Sequence, residues 1–291
     1  MTTRLNTADA KQYVGKRRLR EALVVGWEPV DDSTQTVGVE WPAHHEFYTP
    51  TPWSHSPLLV AESLRQALTL ICHMAYGVPT DHRISWERMR LDVNPAALRT
   101  TGTPARAELR VTHSSVARRP RGTGHFTGHV EATVDGIPAG SGRLSYVTLP
   151  GSIYDRLRGP RADAARAFAA APAPAEPVPP ARVDRTDPRD VTVSPTDAPD
   201  VFELRVDTSH PVLFDHPHDH VPGMVLLEAA VQAARASAPG PLAITGFDTA
   251  FERYVEFDEP CRLTVAPAPR GLEVTGHQSF RRVFTALLTT A

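Results

Sequence analysis

The sequence predicts an α+β fold made of two similar units. Each half of the 291-residue chain contains one long apolar segment of helical length, followed by several short segments rich in β-branched residues. A stretch rich in alanine and proline separates the halves, which is typical of an extended connection. One buried helix followed by an antiparallel meander in each half favours an α+β architecture.

Bulk composition excludes several classes of protein. The hydrophobic fraction of 41% suffices for a core, and the formal net charge of −2 gives no indication of a nucleic-acid partner. No apolar run reaches the roughly 18 residues that a membrane span needs. The two cysteines show no zinc or disulfide spacing, and the N-terminus lacks an apolar signal segment. We therefore expect a cytoplasmic protein with no membrane partner.

Composition divides the chain into four parts. We predict an N-terminal tail over 1–20, a first unit over 21–157, a linker over 158–200 and a second unit over 201–291. The linker contains AAAPAPAEPVPPARVDRTDPRD and lacks hydrophobic periodicity, so it is expected to be exposed and semi-extended.

Two pairs of motifs recur in register in the two units. HSPLLVAESLRQA at 55–67 resembles HVPGMVLLEAAVQA at 220–233, and WERMRLDVNP at 86–95 resembles FERYVEFDEP at 251–260. Because the separation along the chain stays almost constant, an internal duplication is indicated. The alignment places His55 on His220, Glu62 on Glu228 and Gln66 on Gln232.

A buried helix is predicted at the start of each motif pair, over 57–76 and 222–237. Proline lies near the first turn of both, where its missing N–H group has no helical partner to lose. The predicted strands are 105–113, 125–134, 142–149, 242–247, 261–266, 272–278 and 283–289.

The few polar residues of each helix share one face. Glu62, Arg65 or Gln66, Thr69 and His73 recur at helical spacing in the first helix, as do Glu228, Gln232 and Arg235 in the second. A buried carboxylate must be paired or protonated, so this stripe is a candidate site. The alternatives are the solvent side of a half-exposed helix and, for Glu62 with Arg65, a simple ion pair.

The segment FDHPHDHVPGM at 214–224 allows three interpretations. Its histidines and aspartates resemble a metal-ligand set only weakly, and we expect neither a metal nor another cofactor. A histidine here and the helical glutamate suit acid/base chemistry, with the glutamate pKa raised by apolar neighbours. The amides at Gly223 and Met224 would then bind a thioester oxygen at the helix N-terminus. The third interpretation is a polar turn that caps the helix.

Longer motifs carry a family resemblance. His216-Pro217 with PGMVLLEA at 222–229 resembles the signature of hotdog-fold acyl-thioester dehydratases. HPVLFDHPHDHVPGMVLLEAAVQAA, taken with WPAHHEFYTP and PLLVAESLRQA of the first unit, is similar to the A-factor biosynthesis (AfsA-like) family. This resemblance implies a tandem double hotdog, in which two antiparallel sheets each wrap a central helix and the units form an internal pseudo-dimer.

The same resemblance implies an acyltransferase. The expected reaction condenses a β-ketoacyl chain, carried by acyl carrier protein, with dihydroxyacetone phosphate. The product is a phosphorylated β-ketoester, a precursor of γ-butyrolactone, butenolide or furan signalling molecules that regulate antibiotic production. The chain would act as a monomeric pseudo-dimer or a homodimer. The alternatives are a hotdog dehydratase or thioesterase and a non-catalytic signal-binding module.

The candidate site residues follow from the stripe, the histidines and the resemblance. The predicted catalytic residues are Glu228, His216, His220, Gln232 and Glu62. The predicted substrate-binding residues are Gly223, Met224, Arg65, Gln66, Arg253, Arg281 and Arg282. The arginines are candidates for the phosphate, and strand alternation in FRRVF predicts that only one of Arg281 and Arg282 faces inward. Where the family's second motif often has arginine, this chain has Val231.

Overall fold

The computed structural model describes residues 3–4, 7–119 and 122–291. The chain divides into two compact units, Met1–Leu157 and Arg158–Ala291. Each unit contains one long buried helix and an antiparallel set of strands, so the predicted α+β class is confirmed. Among the described residues, no helix has both the length and the hydropathy to cross a membrane.

In its described residues, the first unit has seven strands and a buried central helix. The strands are β1 Thr3–Arg4, β2 Val24–Pro29, β3 Thr34–Trp41, β4 Arg83–Val93, β5 Ala105–Arg118, β6 Gly124–Val134 and β7 Ile137–Leu149. They pair antiparallel in the order β1-β2-β3-β5-β6-β7-β4. The helices are α1 Thr7–Tyr13, the central α2 Leu58–Met74, and α3 Gly151–Arg158 at the end of the unit.

Helix α2 is buried because it is apolar on nearly all sides. Leu64, Leu68 and Ile71 are fully buried, and the helix packs against β2, β3 and β4. Pro57 precedes it as the N-cap residue. This arrangement leaves the polar residues of α2 inside the unit, where each must find a partner.

The second unit repeats this layout with shorter strands. The strands are β8 Val193–Pro195, β9 Val201–Leu204, β10 Ile244–Phe251, β11 Arg262–Ala268, β12 Gly271–Gln278 and β13 Arg281–Thr290. They pair antiparallel in the order β10-β13-β12-β11-β9-β8. The helices are α4 Ala164–Ala169 and the central α5 Gly223–Ser237, which packs against β11, β12 and β13.

Corresponding hairpins of the two units have different turn residues. The β6–β7 turn uses Asp135 and Gly136, at φ 47° and 79°. The β12–β13 turn uses Ser279 and Phe280, at φ 49° and 61°. A two-residue turn with both central residues left-handed is the type I′ geometry, for which Asp-Gly is a preferred sequence and Ser-Phe is not.

Strand β13 differs from one prediction. Its pairing with β12 shifts register between Gly276 and His277, so Val283 and Phe284 are both buried. The extra residue cancels the alternation of the strand at this point. Arg281 and Arg282 come before the bulge, at the start of the strand beside the turn, and both are exposed, so the prediction that one of them faces inward is wrong.

The segment predicted as an exposed linker is partly buried. Val183, Arg185 and Val193 are each 5% exposed or less, and the 3₁₀ helix Pro180–Val183 and strand β8 pack against α5. The exposed character predicted for 158–200 is therefore wrong, because valines spaced along the proline-rich sequence supply an apolar face. In the predicted tail, Val14 is likewise fully buried and α1 packs against α2. The four domain limits stay a prediction.

Candidate active site

A glutamine in the centre of α5 ties the helix to the preceding segment. The Gln232 side chain accepts a hydrogen bond from the Thr192 amide at 2.8 Å and donates to the Asp190 carbonyl at 2.8 Å. It also donates to Glu228 Oε1 at 2.6 Å. The same carboxylate oxygen lies 2.7 Å from an Arg185 guanidinium nitrogen. We call Glu228, Gln232 and Arg185 the α5 clamp.

The first unit contains the same arrangement on α2. Gln66 accepts a hydrogen bond from the Leu23 amide at 2.8 Å and donates to the Glu21 carbonyl at 2.7 Å and to Glu62 Oε1 at 2.8 Å. Two cations pair with Glu62 here: Lys16 at 3.1 Å and Arg65 at 2.9 Å. We call Glu62, Gln66, Lys16 and Arg65 the α2 clamp.

A histidine extends each clamp in the same way. His45 Nδ1 accepts hydrogen bonds from the Phe47 and Tyr48 amides, and its Nε2 lies 3.3 Å from Glu21. His210 Nδ1 accepts from the Val212 and Leu213 amides, and its Nε2 lies 3.0 Å from Asp190. The internal duplication is thus preserved down to individual hydrogen bonds.

The two clamps show how each helix accommodates a buried carboxylate. Glu62 and Glu228 are 2% and 1% exposed. Burial alone would raise the pKa of Glu62, but the charges of Arg65 and Lys16 and the hydrogen bonds from Arg65 and Gln66 outweigh burial and hold that pKa well below its usual range. Glu62 is therefore an ion-paired carboxylate, in agreement with the alternative of a simple ion pair with Arg65.

Two clamp residues and the two histidines that extend the clamps were missed in the sequence. Lys16 and Arg185 lie in the predicted tail and linker, and His45 and His210 precede the motifs that were aligned. Both histidines are at most 5% exposed. The available signal was the repeat itself: extending the alignment upstream pairs His45 with His210, and one further gap pairs Lys16 with Arg185.

His220 has an acid partner next to it in the chain. Its Nδ1 lies 2.9 Å from Asp219 Oδ1, and its ring packs against Tyr254 at a centroid distance of 4.6 Å. A carboxylate only accepts, so Nδ1 carries the proton and the lone pair is on Nε2. The His220 side chain is 26% exposed, which leaves it accessible to a substrate.

Arg158 holds Asp219 in place. It donates to Asp219 Oδ2 and to the Asp219 carbonyl, both at 2.9 Å, and binds both oxygens of Glu256 at 2.6 and 2.8 Å. Burial would lower the pKa of Arg158, but the hydrogen bonds to Glu256 and Asp219 raise it above its ordinary value. The Arg158–Asp219–His220 series therefore orients an imidazole in the manner of acid/base sites.

The other predicted histidine is placed differently. His216 packs against His218 with ring centroids 4.2 Å apart, and its Nδ1 lies 3.6 Å from Asp215. Across residues 3–4, 7–119 and 122–291, no group of three or more His, Cys, Asp or Glu side chains is arranged to hold a metal ion.

The predicted oxyanion site lies at the beginning of α5. Pro222 caps the helix, so Gly223 and Met224 occupy its first turn, where amides lack helical acceptors. A Cβ added at Gly223 would lie 3.2 Å from the Phe251 ring. Glycine at position 223 thus allows the backbone to lie close to Phe251. His220 comes three residues before Gly223 in the chain.

The predicted arginines do not form one group. Arg65 belongs to the α2 clamp, whereas Arg253, Arg281 and Arg282 lie together where β13 begins. The Arg253 amide donates to the Val283 carbonyl at 3.1 Å, and Arg282 pairs with Glu252 at 2.7 Å. All three side chains of this second group are exposed.

Two solved structures that are similar to this chain are acyl-ACP thioesterases. An acyl-ACP thioesterase from Bacteroides thetaiotaomicron aligns with a TM-score of 0.54 at 12% identity, covering 88% of this chain and 98% of that one. The 12:0-ACP thioesterase from Umbellularia californica aligns with a TM-score of 0.50 at 13% identity, covering 88% and 97%. At these identities the likeness concerns the fold alone.

Sequence relatives are closer. A 2-oxo-3-(phosphooxy)propyl 3-oxoalkanoate synthase of Streptomyces virginiae is 36% identical over 288 residues, covering 96% of each chain. The protein of that name from Streptomyces coelicolor is 38% identical over 286 residues, covering 95% of this chain and 89% of the relative. The family model of the A-factor biosynthesis hotdog domain matches residues 2–150 and 167–277. The predicted tandem double hotdog is thereby confirmed, and the chain belongs to the A-factor biosynthesis hotdog family.

Proposed function

We propose that the chain is an acyltransferase that joins a β-ketoacyl thioester to dihydroxyacetone phosphate. Its relatives in two Streptomyces species are named for the product of that condensation, and the alignments extend over almost the full length of both partners. The acyl donor is a thioester on acyl carrier protein, and the product is the phosphorylated β-ketoester from which γ-butyrolactone, butenolide or furan signals are made. The cytoplasmic location and the monomeric or homodimeric state also belong to this proposal.

The single observation that carries the mechanism is the Asp219–His220 pair. Because Nδ1 is held by Asp219 at 2.9 Å, Nε2 is the basic nitrogen, and the side chain is accessible. We assign His220 as the general base that takes the proton from the primary hydroxyl of dihydroxyacetone phosphate. Arg158 and Asp219 position it.

The bonds change in two steps. The hydroxyl oxygen attacks the thioester carbonyl carbon, and the negative charge that develops on the carbonyl oxygen is stabilised by the Gly223 and Met224 amides at the start of α5. The tetrahedral intermediate then collapses, the C–S bond breaks, and the imidazolium returns its proton to the departing thiolate. One ester and one free carrier thiol result, with no change of oxidation state.

Glu228 has two possible roles. Its Oε1 is bound by Arg185 and Gln232, which favours a structural role in the α5 clamp. Its Oε2 is buried with no hydrogen-bond partner, which suits a contact to a substrate hydroxyl. Glu228→Gln separates the roles: loss of kcat at an unchanged melting temperature indicates substrate contact, whereas a lower melting temperature with kcat retained indicates a clamp.

The phosphate needs a cationic partner. Arg65 is bound to Glu62, Arg282 is bound to Glu252, and Arg281 directly follows the exposed Phe280, so we assign the phosphate to Arg253, which precedes the Tyr254 ring beside His220. Arg253→Ala should raise the KM for dihydroxyacetone phosphate about tenfold and leave the KM for a β-ketoacyl thioester of free pantetheine unchanged. An unchanged KM for dihydroxyacetone phosphate would remove Arg253 from the site.

Product analysis tests the whole proposal. The protein is incubated with a β-ketoacyl carrier protein, with and without dihydroxyacetone phosphate, and small-molecule products are weighed by mass spectrometry. A phosphorylated ester that forms only with both substrates is expected. Free β-keto acid in both reactions would instead identify a thioesterase, and an unconsumed donor a non-catalytic binding module.

A further inference from the structure

The turn between β12 and β13 presents an aromatic side chain to solvent. Phe280 has a relative exposure of 105%, higher than that of any other large exposed hydrophobic residue in the described part of the chain. It occupies a left-handed backbone conformation, with φ 61°, next to Ser279 at φ 49°. A bulky residue is uncommon in this region, because its Cβ crowds the following carbonyl.

Fold stability does not explain Phe280. The corresponding β6–β7 turn of the first unit has the same left-handed geometry with Asp135 and Gly136, a preferred pair for it. A phenylalanine that is strained and surrounded by water gains nothing from burial. Strained residues that persist are characteristic of functional positions, so Phe280 is a candidate for binding a partner.

Hydrogen bonds from Gln278 and Ser279 hold the turn between β12 and β13 in place. Gln278 accepts from the Glu256 amide at 2.8 Å and donates to the Glu256 and Glu259 carbonyls at 2.9 and 2.8 Å. The Ser279 hydroxyl donates to the Glu259 carboxylate, which also pairs with Arg161 at 3.1 Å. These hydrogen bonds and the ion pair therefore hold the backbone that presents the Phe280 ring.

Arginines follow the turn on its β13 side. Arg281 follows Phe280 directly, Arg282 comes next, and Arg253 is tied by its amide to the neighbouring Val283. Glu252 is the carboxylate paired at this end of β13, with Arg282, whereas Asp258 and Glu259 on the supporting side lie near Arg161. The β13 side of the turn thus presents one exposed apolar side chain beside three arginines and one carboxylate, Glu252, whereas the carboxylates of the other side are paired with Arg161.

The ion pairs of Arg161 also connect this turn to the proposed general base. Arg161 lies 3.1 Å from Glu256, and Glu256 is bound by Arg158, which holds Asp219 beside His220. A partner bound at the turn is therefore linked to the proposed catalytic residue by a continuous series of ion pairs. Each of these contacts lies within the second unit.

We propose that Phe280 with Arg253, Arg281 and Arg282, here called the Phe280 tip, is the docking surface for the acyl carrier protein. This rests on the proposed function, which requires a carrier that arrives loaded and leaves after each turnover. A small interface with one aromatic anchor and charge-steered encounter suits such brief binding. The carrier face that fits has carboxylates around a shallow apolar depression. Arg253 at the edge of the tip would then lie between the carrier and the phosphate of the second substrate.

Two donors test the proposal. Phe280→Ala is expected to raise the KM for β-ketoacyl carrier protein at least tenfold while leaving kcat/KM for the β-ketoacyl thioester of free pantetheine unchanged. Ile137→Ala, at an exposed apolar residue beside the corresponding turn of the first unit, is the matched control and should change neither. Equal losses with both donors, or no loss with either, would overturn the docking assignment.

Charge and strain give two further readouts. Arg281→Glu should weaken carrier binding more at low salt than at high salt, since steering between exposed charges is screened. Phe280→Gly should raise the melting temperature and still weaken carrier binding; tight carrier binding by this variant would overturn the role of the ring.

Direct titration of carrier protein into the wild type and Phe280→Ala separates this proposal from the reaction. Failure of the wild type to make ester, with binding that depends on Phe280, would refute the proposed reaction and leave docking intact. Ester formation with equal binding by both proteins would do the reverse.

Discussion

The two units share a clamp but differ at the histidine ahead of the helix. His55 in the first unit is 4% exposed and contacts the Thr49 hydroxyl at 2.9 Å, whereas His220 in the second is accessible and contacts Asp219. Burial, with the nearby charges of His45 and His44, lowers the pKa of His55 to about 4. Duplication thus preserved the structural hydrogen bonds in both copies, while the features of an acid/base site are found in the second.

The largest effect is expected from replacing each of these two histidines by asparagine. His220→Asn should lower kcat by about 10²–10⁴-fold, the usual contribution of a general base. His55→Asn should change kcat less than threefold, because that imidazole is neutral and enclosed. Steady-state rates with both substrates give the comparison, and equal losses in the two variants would assign the chemistry to both units.

Removing the clamp cations should separate the units by stability. Arg185→Met leaves Glu228 buried without a cation and is expected to lower the free energy of unfolding by about 3–5 kcal/mol. Lys16→Met should cost about 1 kcal/mol, because Arg65 and Gln66 still bind Glu62. Urea denaturation measures both values, and a larger loss for Lys16→Met than for Arg185→Met would contradict the conclusion that Arg65 still pairs with Glu62 when Lys16 is removed.

The partners of the two histidines give a smaller contrast. Asp219→Asn should lower kcat about 10–100-fold and shift its acid limb to lower pH, because the amide no longer stabilises the imidazolium. Thr49→Val, which removes the partner of His55, should leave the pH profile of kcat unchanged. A merely structural Asp219 would lower the melting temperature and leave the pH profile where it was.

The smallest effect is the dependence of the free energy of unfolding on acid pH. His55 and His113, both in the first unit, have pKa values lowered to about 4 by burial, against 6.5 in an unfolded chain. Between those values the unfolded chain binds more protons, so the free energy of unfolding is highest above pH 6.5 and falls as the pH drops toward 4. The lowered pKa of Glu62 adds a further loss below pH 4.5.

Melting temperatures measured at intervals from pH 7 to pH 4 test this dependence. They should fall by several degrees over that range, and His55→Gln should flatten the curve. An unchanged slope in that variant would remove His55 from the acid response.

Periodicity and repeats were enough to predict the helices, the class of fold and the stripe of Glu62, Gln66, Glu228 and Gln232. What they did not reveal depends on tertiary contact. The cations at Lys16 and Arg185 are distant in sequence from the carboxylates they bind, and proline-rich composition concealed the buried valines around Arg185. The low pKa of Glu62 depends on Lys16 as well as on its neighbour Arg65, and Lys16 lies far from Glu62 in the sequence. The start of β13 at Arg281 was also missed, because periodicity alone does not fix where a strand meets its turn, and the bulge at Val283 interrupts the period.

The glutamines at the centres of the helices make two amide protons useful reporters. Gln66 binds the Leu23 amide 43 residues upstream, and Gln232 binds the Thr192 amide 40 residues upstream. A local opening that separates either upstream segment from its helix would expose these amides to hydrogen exchange. Exchange at Leu23 and Thr192 therefore measures how often each buried carboxylate loses its cover. Contacts that span such distances also form late in folding, so each helix would first collapse with its glutamate incompletely paired.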